Sequence, residues 1–385
     1  MHDVNAFRNI HRNRFQTEPT VFAAPGRVNI IGEHTDYAEG FVMPAAIDFA
    51  TLAGISPRSD GKIVIYSENY GDERVIDDAK ALPAAAIKHW SDYPLGVIVT
   101  LAGEGHTMPG FSLSLWGDVP LGSGLSSSAA VEVATALAVC SILGVTYPGP
   151  VLARLCQKAE NQFVGANCGI MDQFISANGA EDHALLLDCR DLSFKLAPIP
   201  HNVALVIANT MVSHSVAGGE YTSRRAEVEE ACAVIARHRP EVKFLRDATP
   251  EDLKNYGHEM SPNALKRARH VITENIRTVA AAEALMHHNL KELGRLMAEA
   301  HTSYSQDFEA SCVEADAMVA LAQDLPGLIG ARLTGGGFGG CTINLVEREH
   351  APAFAEALGA RYSSEIGIVP QIHICHAASG AHRIG

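Results

Sequence analysis

Two glycine-rich runs with opposite sequels constrain this chain most: residues 121–128 lead into a strong helical pattern from Ala129, whereas residues 335–340 lead into a β-prone run at 341–346. A glycine loop that opens a helix brings backbone N–H groups and the positive end of the helix dipole to one place, which suits an anion such as phosphate. A glycine run that opens a strand suits close backbone approach, or a plain turn with no ligand. Neither run is a Walker A loop, which needs Gly-Lys-Ser/Thr. Gly335–Gly340 satisfies GxGxxG, but a dinucleotide site requires a helix after it, so an oxidoreductase is disfavoured.

The chain has 385 residues, beyond the roughly 250–300 at which one hydrophobic core stops growing, so two domains with a cleft between them are expected. Composition is that of a folded protein, and a formal charge of −14 argues against a nucleic-acid partner. The eight cysteines form no CxxC pair and no zinc-type spacing, which fits reduced thiols in the cytoplasm. Residues 1–15 are polar, without a signal-peptide pattern, and the most apolar run, 129–145, is interrupted by Glu132 and is too short to span a bilayer. A cytoplasmic protein, monomeric and without an obligate protein partner, is expected.

Periodicity and turn residues predict strands at 20–24, 51–56, 62–67, 111–115, 183–188 and 192–197, and helices at 84–101 (carrying Trp90), from 129, and at 151–163. Pro25-Gly26 is expected to end the first strand. Pro198–Pro200 reads as a linker, dividing the chain into domains at 1–198 and 199–385. The second half opens with a strand at 203–209, has helices at 221–238, 263–288, 290–304 and 312–325, and ends with strand 341–346, helix 351–366 and strand 371–376. Helices on mainly antiparallel strands make this an α+β protein.

The serines of the first loop, Ser126, Ser127 and Ser128, fit helix N-capping, or a hydroxyl offered to Mg²⁺. Residues 27–37 gather Arg27, Glu33, His34, Asp36 and Tyr37 beside a strand. Carboxylates accept hydroxyl hydrogens with fixed geometry, so this mixture suits a polyol, the alternative being a solvated loop that awkwardly contains Ile30 and Ile31. Asp172 lies between apolar neighbours and so needs a partner, as a structural ion pair or as a base. Gly218-Gly-Glu220-Tyr221, with Arg224 and Arg225, fits a substrate loop or a simple helix start.

In this order the segments resemble the galactokinases of the GHMP small-molecule kinases. The stretch Gly26-Arg-Val-Asn-Ile-Ile-Gly-Glu-His-Thr-Asp-Tyr37 is similar to the galactokinase signature, and Pro120-Leu-Gly-Ser-Gly-Leu-Ser-Ser-Ser-Ala-Ala130 and Leu333-Thr-Gly-Gly-Gly-Phe-Gly-Gly-Cys341 to superfamily motifs. The resemblance implies a two-domain GHMP kinase fold, with an N-terminal α/β domain like ribosomal protein S5, a C-terminal ferredoxin-like domain, and the active site in the cleft.

Carried over by position, Glu33, His34, Asp36, Gly169 and Tyr221 would hold galactose, and Asp172 and Arg27 would flank its C1 hydroxyl. Gly122, Ser123, Gly124, Leu125, Ser126, Ser127 and Ser128 would wrap the phosphates of ATP, Ser67 and Trp90 would receive adenine, and Ser128 and Glu160 would bind Mg²⁺. The implied reaction is in-line transfer to O1 of the α-anomer, giving galactose 1-phosphate and ADP as the entry to galactose catabolism, with Asp172 taking the proton and Arg27 offsetting charge. The rivals are an N-acetylgalactosamine kinase of the same branch and a non-catalytic sensor. Relatives of the sensor type lack the Ser-Ala pair present here as Ser128-Ala129.

Overall fold

A computed structural model describes residues 3–120, 122–213 and 217–384. In chain order the elements are α1 (Val4–Phe15), β1 (Thr20–Asn29), β2 (Phe41–Val42), β3 (Pro44–Pro57), β4 (Ile63–Ser67), β5 (Asp72–Ile76), α2 (Asp92–Gly103), β6 (Phe111–Gly117), α3 (Ser127–Leu143), α4 (Gly149–Ala159), α5 (Met171–Asn178), β7 (His183–Asp188) and β8 (Phe194–Pro198). The second half contributes β9 (Val203–Ser213), α6 (Ala217–His238), α7 (Pro250–Tyr256), α8 (Pro262–Met286), α9 (Leu290–Gln306), α10 (Val313–Ala322), β10 (Leu328–Leu333), β11 (Gly339–Glu347), α11 (Ala351–Ile366), β12 (Gln371–Cys375) and β13 (His382–Ile384).

Three sheets result, in the orders β13-β1-β3-β6-β4-β5, β2-β7-β8 and β10-β11-β9-β12. Numbered within its own half, the third sheet runs 2-3-1-4, with helices between its first and second and its third and fourth strands, which is the ferredoxin-like βαββαβ arrangement. Helix α3 is apolar on all sides and accordingly buried, with Ala129, Ala130, Val133, Ala136 and Val139 fully covered. One core joins the two halves: Val28, Ile30 and Ile31 pack with Leu205, Ile207, Ala281, Leu285, Leu293 and Ile343. The two isoleucines that sit oddly in a solvated loop are therefore its anchors.

Several expectations need correction. The first strand does not end at Pro25-Gly26. It continues to Asn29 through a register shift between Pro25 and Arg27, the kind of bulge that tolerates Pro and re-aims a side chain. A Cβ on Gly26 would lie 2.8 Å from the Leu125 carbonyl oxygen, so the strand and the glycine–serine loop approach through a bare backbone, and the Arg27 amide donates to that carbonyl at 3.1 Å. The helix expected from residue 84 begins only at Asp92, because the Asp92 carboxylate accepts the amides of Ile87 (3.1 Å) and His89 (2.8 Å) and folds the preceding segment into a turn. Trp90 therefore precedes the helix. The division at 198/199 leaves the last strand on the wrong side, since β13 pairs with β1 (Val21 with Ile384) in the N-terminal sheet. Helix α5 was not expected from the sequence at all.

Candidate active site

The bulge in β1, the turn at residues 33–37, the start of α5, the first turns of α6 and the loop after β10 converge on a cavity of about 250 Å³, lined by Arg27, Glu33, His34, Asp36, Gly169, Asp172 and Tyr221 among others. All seven residues expected at the sugar and transfer positions thus lie on one cavity.

Arg27, 5% exposed, donates from Nε and Nη2 to the two carboxylate oxygens of Asp172, each at 2.7 Å, and from Nη1 to the Gly124 carbonyl at 2.5 Å. This fork fixes the carboxylate in plane as a single-point ammonium would not. Ser126 Oγ also donates to Asp172 Oδ2. The capping alternative for the serines thus fails at Ser126: its backbone is left-handed (φ +61°) and its side chain makes no cap bond to α3. Asp172 sits in the first turn of α5, where the helix dipole favours a carboxylate.

Asp36 faces Asp172. Burial, and then the neighbouring negative charge, raise its carboxyl to about 6, against the pull of the Tyr37 and Met171 amides and of Arg27. Gly169 lets the loop close on it, since a Cβ there would lie 1.6 Å from Asp36 Oδ2. Glu33 is held from behind: Arg332 Nη1 donates at 2.9 Å, the Gly335 amide at 2.8 Å, and Asn29 Nδ2 also donates. A carboxylate has about four acceptor sites, so hydroxyls can still approach. His34 is held left-handed (φ +59°). Its Nε2 faces the Gly336 carbonyl (3.3 Å) and the Tyr304 hydroxyl (3.1 Å), and Tyr304 itself donates to the Gly335 carbonyl (2.9 Å). Nε2 is therefore the protonated nitrogen, and Nδ1 accepts from Tyr37 at 3.0 Å. Burial lowers its pKa to about 3, so this ring is neutral and already bonded at both nitrogens.

A second cavity, about 260 Å³, lies on the other side of the phosphate loop and includes Ser67, Trp90, Gly122, Ser127 and Ser128 in its lining. Gly122 and Gly124 are left-handed (φ +70° and +78°), which glycine adopts without strain. Ser123 and Leu125 turn their side chains inward, Ser123 Oγ donating to the Pro120 carbonyl at 2.6 Å, so these two residues can offer a phosphate only backbone. Leu121 of this loop lies outside the described residues. Tyr70 stacks on Trp90 (centroids 5.8 Å, planes 11° apart). Tyr93 and Asn69 also line this cavity, and sequence reasoning missed all three residues.

Glu160 opens a π-helical turn, Glu160–Val164, a local distortion common at functional sites. Its carboxylate is bonded by Ser128, Gln173 and Cys168. Among the described residues no ion pair involves Glu160 or the nearby Glu132. Burial raises the pKa of both Glu132 and Glu160, an effect that a cation beside them would offset, and the two hard oxygen donors Ser128 and Glu160 fit Mg²⁺, which takes one or two protein oxygens and completes its shell with phosphates and water.

Other functional groups that sequence reasoning missed are Arg332, Asn29, Tyr304 and Gln173. The one available signal was Arg332, a charge interrupting the otherwise uncharged, mainly apolar β10 three residues before Gly335.

A ferredoxin-like half, and a glycine–serine loop that opens a buried helix between two cavities, define a small-molecule kinase of the GHMP type. The descriptions of the GHMP kinases N terminal domain and the GHMP kinases C terminal domain match residues 92–180 and 281–364, and the galactokinase galactose-binding signature matches 9–57. The chain belongs to the galactokinase family and is an ATP-dependent sugar kinase. It is 40% identical to the galactokinase of Roseiflexus sp. (strain RS-1), covering 100% of this chain and 98% of that one, and 42% identical to that of Chloroflexus aurantiacus (99% and 97%). The structure of Lactococcus lactis galactokinase complexed with galactose superposes with a TM-score of 0.94 at 34% identity, covering 99% and 100% of the two chains. Methanococcus jannaschii mevalonate kinase, at a TM-score of 0.69 and 16% identity, shares the fold.

Proposed function

We propose that this enzyme transfers the γ-phosphoryl group of Mg²⁺-bound ATP to the C1 hydroxyl of α-D-galactose, releasing galactose 1-phosphate and ADP, with the roles divided as follows. The observation that carries the proposal is the Arg27–Asp172–Ser126 cluster, which stands between a polar cavity and a glycine loop. Asp36, Glu33 and Tyr221 orient the sugar, with Gly169 allowing the approach; His34 shapes the wall as a neutral ring. Galactose O1 attacks the γ-phosphorus, the bond to the β,γ-bridging oxygen breaks, and the O1 proton passes to Asp172. Arg27 keeps Asp172 in plane and places positive charge beside the phosphoryl group. Ser128 and Glu160 would hold Mg²⁺, which would neutralise charge on the phosphates. Ser67 and Trp90 receive the adenine. The enzyme works as a cytoplasmic monomer; no helix among the described residues is long and apolar enough to cross a membrane.

The test is ADP release with galactose, N-acetylgalactosamine, glucose and no sugar, using Asp172→Asn as the comparison. Turnover confined to galactose, and lost in Asp172→Asn while calorimetric galactose binding persists, is the expected result. Turnover that survives the substitution refutes the role of Asp172, and preference for N-acetylgalactosamine refutes the substrate assignment.

A further inference from the structure

Behind the Ser128–Glu160 pair lies a polar cluster that the reaction scheme does not use. Gln173, fully buried on α5, donates from its single Nε2 to two carboxylates: Glu160 Oε2 at 2.5 Å and Glu132 Oε2, on α3, at 3.0 Å. Glu132 is 0% exposed and sits among the buried alanines and valines of α3. Among the described residues Glu132 Oε1 and Gln173 Oε1 have no hydrogen-bond partner. Burying carboxylates and an amide with acceptors left open is costly, and replacing such polar groups by well-packed apolar side chains is often stabilising. The cluster is therefore poorly explained as packing.

Its geometry explains it better. Both donors not expected on the metal, Gln173 Nε2 and Cys168 Sγ (3.2 Å), converge on the same oxygen of Glu160, Oε2, leaving Oε1 free of them. The side chain of Asn161, in the π-helical turn, clamps the Cys168 backbone on both sides (2.7 and 3.1 Å), so this turn is tied to the loop that enters α5. Gln173 also follows Asp172 directly, so one helical turn presents a carboxylate to the sugar cavity and an amide to Glu160. Mg²⁺ demands near-ideal octahedral geometry, and groups that orient a metal's ligands commonly govern its affinity.

We infer that Gln173 is the positioning residue of the Mg²⁺ site, fixing the Glu160 carboxylate, and that Glu132 is the buried anchor that fixes Gln173. This rests on the proposed assignment of Ser128 and Glu160 as Mg²⁺ ligands. The coupling makes α5 the element that sets the metal's place relative to Asp172.

The test titrates the ADP-bound protein with Mn²⁺, read by electron paramagnetic resonance, and measures galactose affinity without nucleotide by calorimetry. Gln173→Met, similar in length but without donors, is expected to weaken Mn²⁺ binding by about 10- to 100-fold with galactose affinity unchanged within about twofold, the span expected of an outer-shell partner. Glu132→Met is expected to behave alike, and Glu132→Gln, which keeps an acceptor for Gln173, to restore most of the affinity. Wild-type Mn²⁺ affinity in Gln173→Met, with Glu160→Gln impaired, overturns the positioning role and leaves the ligand assignment standing. Wild-type affinity in Glu160→Gln removes the ligand assignment and the inference with it. Loss of galactose binding along with Mn²⁺ binding in both Met variants marks a purely structural role and also overturns it.

Discussion

Adding one methyl group at Gly169 tests how the sugar cavity is built. A Cβ at this position would lie 1.6, 2.2 and 2.8 Å from the three carboxyl atoms of Asp36. Gly169 does not have a positive φ, so alanine introduces no left-handed strain, and the collision is the whole perturbation. To bring Oδ2 from 1.6 Å to the 3.0 Å below which real Cβ contacts essentially never fall, the carboxylate must retreat by at least the difference, about 1.4 Å, which breaks any hydrogen bond of ordinary length. A hydrogen bond to a charged group contributes about 1.5–3 kcal/mol, so the galactose KM of Gly169→Ala is expected to rise roughly 10- to 150-fold, with ATP KM little changed. The assay is steady-state kinetics for both substrates in a double-mutant cycle with Asp36→Ala, which removes the colliding group. In that background Gly169→Ala is expected to add little. A galactose KM within twofold of wild type, or an equal penalty with and without Asp36, refutes the reasoning.

Burial and the neighbouring Asp172 raise the Asp36 carboxyl to about 6, and protonation replaces one of its acceptor oxygens by an O–H donor; kcat/KM for galactose is therefore expected to fall below that pH, by at most about tenfold per pH unit, and a pH profile of Asp36→Asn should lack this limb. Removing the ring stacked on Tyr70, Trp90→Ala is expected to raise ATP KM about tenfold with galactose KM unchanged; kinetics showing the reverse would dissociate Trp90 from the nucleotide. His11, buried between Ser56 and Ser114, has its pKa lowered to about 4 by burial. The unfolded state then binds more protons, so this histidine's contribution to stability is complete above about 6.5 and shrinks as pH falls towards 4, by at most about 1.4 kcal/mol per pH unit. Urea denaturation from pH 7 to 4.5 should show a shallower decline for His11→Asn.

The functional residues were more legible in the sequence than the elements that carry them. Arg27, Glu33 and Asp36 stand out because residues 27–37 concentrate opposite charges, an imidazole and a phenol, and Asp172 because it lies between apolar neighbours; one cavity is lined by all four. What was not legible is local geometry set by distant partners. Pro25-Gly26 carries a chain-break signal, yet β1 runs through it because pairing with β3 on one side and the bare approach of Leu125 on the other make a bulge tolerable. The turn before α2 depends on where one carboxylate, Asp92, finds its amides. Helix α5 has only eight residues, too few to be stable alone, and it exists because Phe174 and Ile175 are buried against the sheet and α4 while Asp172 and Gln173 are held by Arg27 and two glutamates. The same dependence explains why Gln173, Arg332 and Asn29 escaped notice: each is an ordinary polar residue until the fold sets its partner beside it, in two of the three cases from more than ten positions away in the chain. Short-range pattern thus identifies groups that line the cavity, whereas the groups that hold them in place are visible only in three dimensions.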